Sequence, residues 1–129
     1  MKSQEELNQI SKVILDACIT VHKEMGPGLL ESIYVWCLLY ELRGRGLKVQ
    51  EEVSIPLVYK GIELPKIFRI DLLVEDEIII EAKAVEILLP VHEAQIISHL
   101  KLTENRLGFL VNFNVPLLKD GFKRFVNKF

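Results

Sequence analysis

What this sequence has little of narrows its reading before any motif is sought. Its 129 residues contain two cysteines, Cys18 and Cys37, with no Cys-x-x-Cys pair and no Cys/His cluster. That argues against a disulfide scaffold and against zinc, and leaves reduced, structural thiols. No run of about 18 apolar residues occurs, so no membrane-spanning helix is expected. The opening Met1-Lys2-Ser3-Gln4-Glu5-Glu6 is polar and acidic rather than an apolar signal core, and a cytoplasmic protein is expected. Neither sign of charge is in bulk excess. The 16 Lys and Arg against 18 Asp and Glu give −2, too little for a protein that coats nucleic acid by net electrostatics. Linkers, low-complexity tracts and internal repeats are also missing, so one domain over residues 1–129 is expected.

The average charge hides an asymmetry. From Lys101 onward, Lys101, Arg106, Lys119, Lys123, Arg124 and Lys128 stand against Glu104 and Asp120, which gives +4 and leaves −6 for the first hundred residues. A basic tail and an acidic pocket can coexist in such a chain; a solvated C-terminal face explains the tail equally well. The hydrophobic fraction, 50%, is slightly high. An oligomer interface, such as that of a homodimer, could absorb the surplus.

Ser3 with Glu6 has the form of a capping box, and Leu7, Ile10, Ile14, Ala17 and Val21 recur at helical spacing until Gly26-Pro27-Gly28. A second helix is expected from Leu30 to Arg43, with Leu30, Tyr34, Cys37, Leu38 and Leu42 on one face. From Leu47 the period changes to two through Val49, Val53, Ile55, Leu57 and Tyr59, with a turn at Lys60-Gly61. Further strands are expected over Ile67 to Val74 and over Ile78-Ile79-Ile80-Glu81-Ala82-Lys83, joined by a polar turn at Glu75-Asp76-Glu77. A helix from Val91 to Leu102 and an apolar strand from Leu107 to Phe113 follow, and Phe122 to Val126 is left unassigned. This order predicts an α/β fold, a mixed sheet flanked by helices.

Glu81 and Lys83, two apart on a strand, share a face, and Asp71 lies on the preceding strand across a short turn. Hairpin pairing can bring the two carboxylates together, although the register is not fixed by the sequence. A carboxylate pair is costly unless a cation neutralises it, and hard oxygen donors suit Mg²⁺ or Mn²⁺. Lys83 beside such an ion could orient a water, accept its proton or hold charge on a phosphate. Elsewhere Glu-x-Lys is usually a solvated surface pair. Here Ile78, Ile79, Ile80 and Ala84 make the strand read as buried, where charges need a partner. A structural ion pair satisfies that need as well as a metal does.

These residues, with Gly28-Leu29-Leu30-Glu31-Ser32-Ile33-Tyr34, Tyr59-Lys60-Gly61, Arg69-Ile70-Asp71, Glu81-Ala82-Lys83-Ala84-Val85, His92-Glu93-Ala94-Gln95 and Leu107-Gly108-Phe109, resemble the GxxExxY proteins of the PD-(D/E)xK nuclease superfamily over nearly the whole chain. The resemblance implies a restriction-endonuclease-like core of the RecB and lambda exonuclease kind. It implies Asp71, Glu81, the Ala82 carbonyl and Glu31 around Mg²⁺ or Mn²⁺, with Lys83 and Gln95 catalytic. Gln95, His99, Lys101 and Arg69 would contact nucleic acid, DNA rather than RNA. Glu31 also has a plain role, complementing its helix dipole. The superfamily often places Tyr four residues after the glutamine; this chain has His99 there. Tyr34 reads as a core residue whose hydroxyl finds a partner, and His22 and His92 as structural or surface residues.

The expected function is therefore a metal-dependent nuclease. A non-catalytic nucleic-acid or protein binding module that kept the fold is the main alternative. A third is an interaction subunit using Ile87-Leu88-Leu89-Pro90-Val91 or Phe122, Phe125 and Phe129.

Overall fold

Ser3 starts helix α1 (Gln4–Met25) in the computed structural model, which describes residues 1–129. Its Oγ accepts the Glu6 N–H at 3.1 Å and a Glu6 carboxylate oxygen accepts the Ser3 N–H at 3.1 Å, the reciprocal capping box that the sequence predicts. Leu7, Ile14, Ala17, Cys18 and Val21 are buried at helical spacing. Each large aliphatic of this stripe contributes about 1.5–3 kcal/mol through burial. Helix α2 (Glu31–Gly44) buries Tyr34, Leu38, Leu39 and Leu42. Leu30, expected on that apolar face, instead precedes the helix and is exposed, because the chain is still extended there (φ −69°, ψ 148°).

Five strands follow in one sheet ordered as in the sequence: β1 (Val49–Tyr59), β2 (Ile62–Val74), β3 (Ile78–Lys83), β4 (Leu107–Asn112) and β5 (Phe122–Val126). All neighbours are antiparallel except β3 and β4. That parallel pair requires a crossover, supplied by helix α3 (Pro90–Thr103). The result is the mixed α/β sheet expected. The segment left unassigned, Phe122 to Val126, becomes edge strand β5, and a one-turn helix α4 (Leu118–Gly121) precedes it.

The β1–β2 hairpin is longer than the period-two pattern indicates. Tyr59 pairs with Ile62 across Lys60-Gly61, whose φ values of 51° and 78° are both positive, the tight-turn geometry that matches strand twist. Strand β2 therefore begins at Ile62 rather than Ile67. Its first half lies beyond β3, which pairs only with Leu72, Leu73 and Val74. With no third strand to cover it, Ile62, Leu64 and Ile67 stay exposed.

Helices α1 and α2 cover one sheet face, packing on Leu72, Val74, Ile78, Ile80, Leu107, Phe109 and Val111. Helix α3 covers the other. Leu100 clusters there with Ile70 and Ile79, and a Cβ on Gly108 would lie 3.2 Å from Ile96 and 3.3 Å from Leu100. Glycine at that point lets the helix sit close on β4. No helix is long and apolar enough to cross a membrane.

Candidate active site

Strand β3 is buried along nearly its whole length, as a β-branched run between two helical layers should be. Ile78, Ile80 and Ala82 point to the α1/α2 core and Ile79 to α3, so Glu81 and Lys83 share the α3 face with Ile79. Glu81 is 5% exposed, and its Oε1 bonds Nδ1 of His99 on α3. The His99 ring stacks on Phe68 of β2, with centroids 4.3 Å apart and planes at 9°. A buried carboxylate needs such a partner.

Asp71 reaches the same region by a different route. Pairing of β2 with β3 stops at Leu72↔Ile80, one step short of setting Asp71 against Glu81. Pairing with β1 also skips this step: Glu51↔Leu72 and Val53↔Ile70 flank an unpaired Glu52, whose φ is 48°. In place of a backbone carbonyl, Asp71 Oδ2 accepts the Ala82 N–H at 2.9 Å. Burial raises the Asp71 pKa. The Ala82 N–H and Lys83 oppose the rise, while the Glu81 and Glu31 carboxylates add to it. Glu81, Lys83 and Glu31 are thus each within electrostatic reach of Asp71.

Glu31, the first residue of α2, lines with Asp71, Glu51, Glu52 and Trp36 a cleft of about 410 Å³. Glu51 and Glu52 escaped the sequence reading; an acidic pair interrupting an alternating strand is the signal they carry. Asn112 was also missed. It is 2% exposed on β4, where it pairs with Lys83 in the parallel register. Its side chain accepts from Val85 N at 3.1 Å and donates to Val85 O at 2.9 Å, pinning the chain just after Lys83. A lone amide in an otherwise apolar strand is the trace of that role.

The other expected residues disperse. Gln95 and His99 lie on one side of α3, lining a hollow of about 300 Å³ with Phe68 and Leu57. Arg69 is exposed on β2, opposite Ser54. Lys101 lines a separate basic hollow with Arg106 and Lys128. Tyr34 is fully buried, stacks on Phe113 at 4.6 Å, donates to Gly26 O at 2.5 Å and accepts from Leu29 N at 3.1 Å. His22 and His92 each bond backbone, at Val115 O and Leu89 N.

The chemistry of the donors fits a hard divalent cation: Asp71, Glu81 and Glu31 offer oxygen ligands, and Glu81 and Glu31 both disfavour the charged form of Asp71. They are not drawn into a finished shell, since no three His, Cys, Asp or Glu side chains are grouped closely enough to hold a metal. Glu81 is held by His99 instead.

The family model of the PD-(D/E)XK nuclease superfamily matches residues 8–125. The chain belongs to the PD-(D/E)XK nuclease superfamily. The five-stranded mixed sheet with flanking helices is accordingly its restriction-endonuclease-like core. Searches of curated proteins and of solved structures returned no match. Superfamily membership points to phosphodiester hydrolysis of nucleic acid, a reaction for which PD-(D/E)XK nucleases generally use divalent metal ions.

Proposed function

We propose that this protein is a metal-dependent nuclease that hydrolyses DNA. The observation that carries the reading is the Asp71 carboxylate, raised in pKa by burial and by Glu81 and Glu31 at the break between β2 and β3, with Lys83 beside it. Acidic groups so placed weaken a fold and repel phosphate, so a surface that only binds nucleic acid gains nothing from them.

In this reading Asp71, Glu81, the Ala82 carbonyl and Glu31 hold Mg²⁺ or Mn²⁺. A divalent cation supplies polarisation of a phosphoryl oxygen and acidification of a bound water. Lys83 orients that water or holds charge developing on the phosphate, its backbone fixed by the Phe113 N–H bond to Lys83 O at 2.9 Å. Gln95 completes the set from α3. His99 keeps Glu81 aimed from the same helix, and Arg69 and Lys101 meet phosphates farther along the strand. DNA, rather than RNA, follows from the resemblance to GxxExxY proteins, and Mg²⁺ or Mn²⁺ from the hard oxygen donors.

The test incubates the protein with labelled single- and double-stranded DNA and RNA in Mg²⁺, Mn²⁺ or EDTA. Cleavage with metal and none in EDTA is expected. One observation favours a second reading, a binding module: Glu81 is occupied by His99 and no metal-ligand group is assembled. No cleavage in any condition, with salt-dependent, metal-independent binding, would select it.

A further inference from the structure

Helix α2 presents two aromatic rings that the core does not use. Trp36 and Tyr40, one turn apart and away from the buried Tyr34, Leu38 and Leu42, are 63% and 66% exposed. They stack on each other with centroids 5.8 Å apart and planes at 10°. Single exposed aromatics need no explanation; these two are adjacent, stacked, and beside the Asp71 cleft.

Trp36 borders two hollows. On one side it lines the acidic cleft with Asp71 and Glu31. On the other it lines, with Leu39, Tyr40 and Arg43, a hollow of about 470 Å³. The rings therefore run without interruption from the Asp71 cleft to the exposed Arg43, whose guanidinium is tethered by a 2.8 Å bond to Val49 O.

The geometry points to Trp36 and Tyr40 as a stacking platform for unpaired nucleobases of a strand whose phosphate reaches Asp71, which makes single-stranded or frayed nucleic acid the substrate class. This assignment rests on the nuclease reading. Aromatic faces accept any base, because every base has a π-face. In a duplex those faces are covered by neighbouring bases and the grooves show only edges and phosphates, so the platform has nothing to hold there. Glu51 and Glu52 repel phosphate on the cleft wall, which leaves the rings, ending at the Arg43 cation, as the favourable path for a strand.

Trp36 is the only tryptophan in the chain, so its fluorescence reports on the platform directly. The test titrates Lys83→Ala protein in Mg²⁺ with a single-stranded DNA oligonucleotide and with a blunt, hairpin-closed duplex. Saturable quenching by the single strand is expected, with the duplex binding at least about tenfold more weakly. Tyr40→Ala should weaken single-strand binding roughly 5- to 150-fold, the range that corresponds to losing one base–aromatic stack. With a labelled oligonucleotide read by anisotropy, Trp36→Ala should lose affinity similarly and Trp36→Phe should retain most of it. Equal affinity for duplex and single strand without quenching, or unchanged affinity in both alanine variants, overturns the assignment. Absence of any oligonucleotide binding overturns it too and leaves the rings to a protein partner. Quenching without cleavage by the wild type would retain the platform and sink the nuclease reading; cleavage without quenching would do the reverse.

Discussion

Asp71 does a backbone carbonyl's work: its Oδ2 takes the Ala82 N–H at 2.9 Å at the point where β2 and β3 stop pairing. The carboxylate is thereby fixed, with one oxygen committed to the fold. The arrangement has an electrostatic cost. Burial first, then Glu81 and Glu31, raise its pKa against the pull of the Ala82 N–H and Lys83. A carboxyl that binds its proton more tightly folded than unfolded contributes stability below its unfolded pKa and loses it as pH rises through the folded value. At neutral pH Asp71 therefore opposes folding.

Asp71→Asn keeps the acceptor and removes the charge. In EDTA at pH 7 its melting temperature should equal or exceed that of the wild type, and the gap should close as pH falls below about 4. Mg²⁺ or Mn²⁺ should raise the wild-type melting temperature and leave the variant's unmoved. A variant less stable than wild type at every pH would contradict this account.

His99→Ala leaves the Glu81 carboxylate buried without its partner and Phe68 without its stacked ring. The expected loss is about 2–4 kcal/mol in urea unfolding. In a Glu81→Gln background the same substitution should cost distinctly less, because an amide tolerates the missing partner better. Additive losses would mean that the two side chains do not interact.

Tyr34→Phe deletes the hydroxyl that joins Gly26 O to Leu29 N while keeping the ring stacked on Phe113. It should cost about 1–2 kcal/mol. Because that bridge shapes the turn delivering Glu31 to the cleft, hydrogen exchange should quicken at Leu29 and the start of α2 before it does on β3.

The two thiols should differ sharply. Burial pushes the Cys18 thiol far above its usual range and raises the half-buried Cys37 less. At pH 8 a thiol reagent should modify Cys37 in the native protein and reach Cys18 only as fast as the chain unfolds. Equal rates at both positions would show that the α1 stripe is not packed as described.

Much of this fold is written locally. The Ser3–Glu6 box, the glycines after α1, the turn at Lys60-Gly61 and the β-branched Ile78–Ile80 run each state their element in a few residues. What was not legible depends on distant pairing. Phe122–Val126 becomes a strand only because β4 offers an edge. Leu30 looks like part of the α2 stripe until the helix is seen to start one residue later. At the site, shared strand parity was enough to place Glu81 with Lys83. No local pattern reveals that Asp71 would bond a backbone amide, or that His99 would reach across from α3 to Glu81.

The central claim, that Lys83 acts in metal-dependent phosphodiester cleavage, is tested most directly by comparing wild type with Lys83→Ala on the same labelled DNA in Mg²⁺ or Mn²⁺, with metal affinity measured in parallel by calorimetry. Loss of one positioned charge-stabilising donor should lower the cleavage rate roughly 100-fold or more, while metal affinity stays within a few-fold. Equal cleavage by the two proteins would contradict the account.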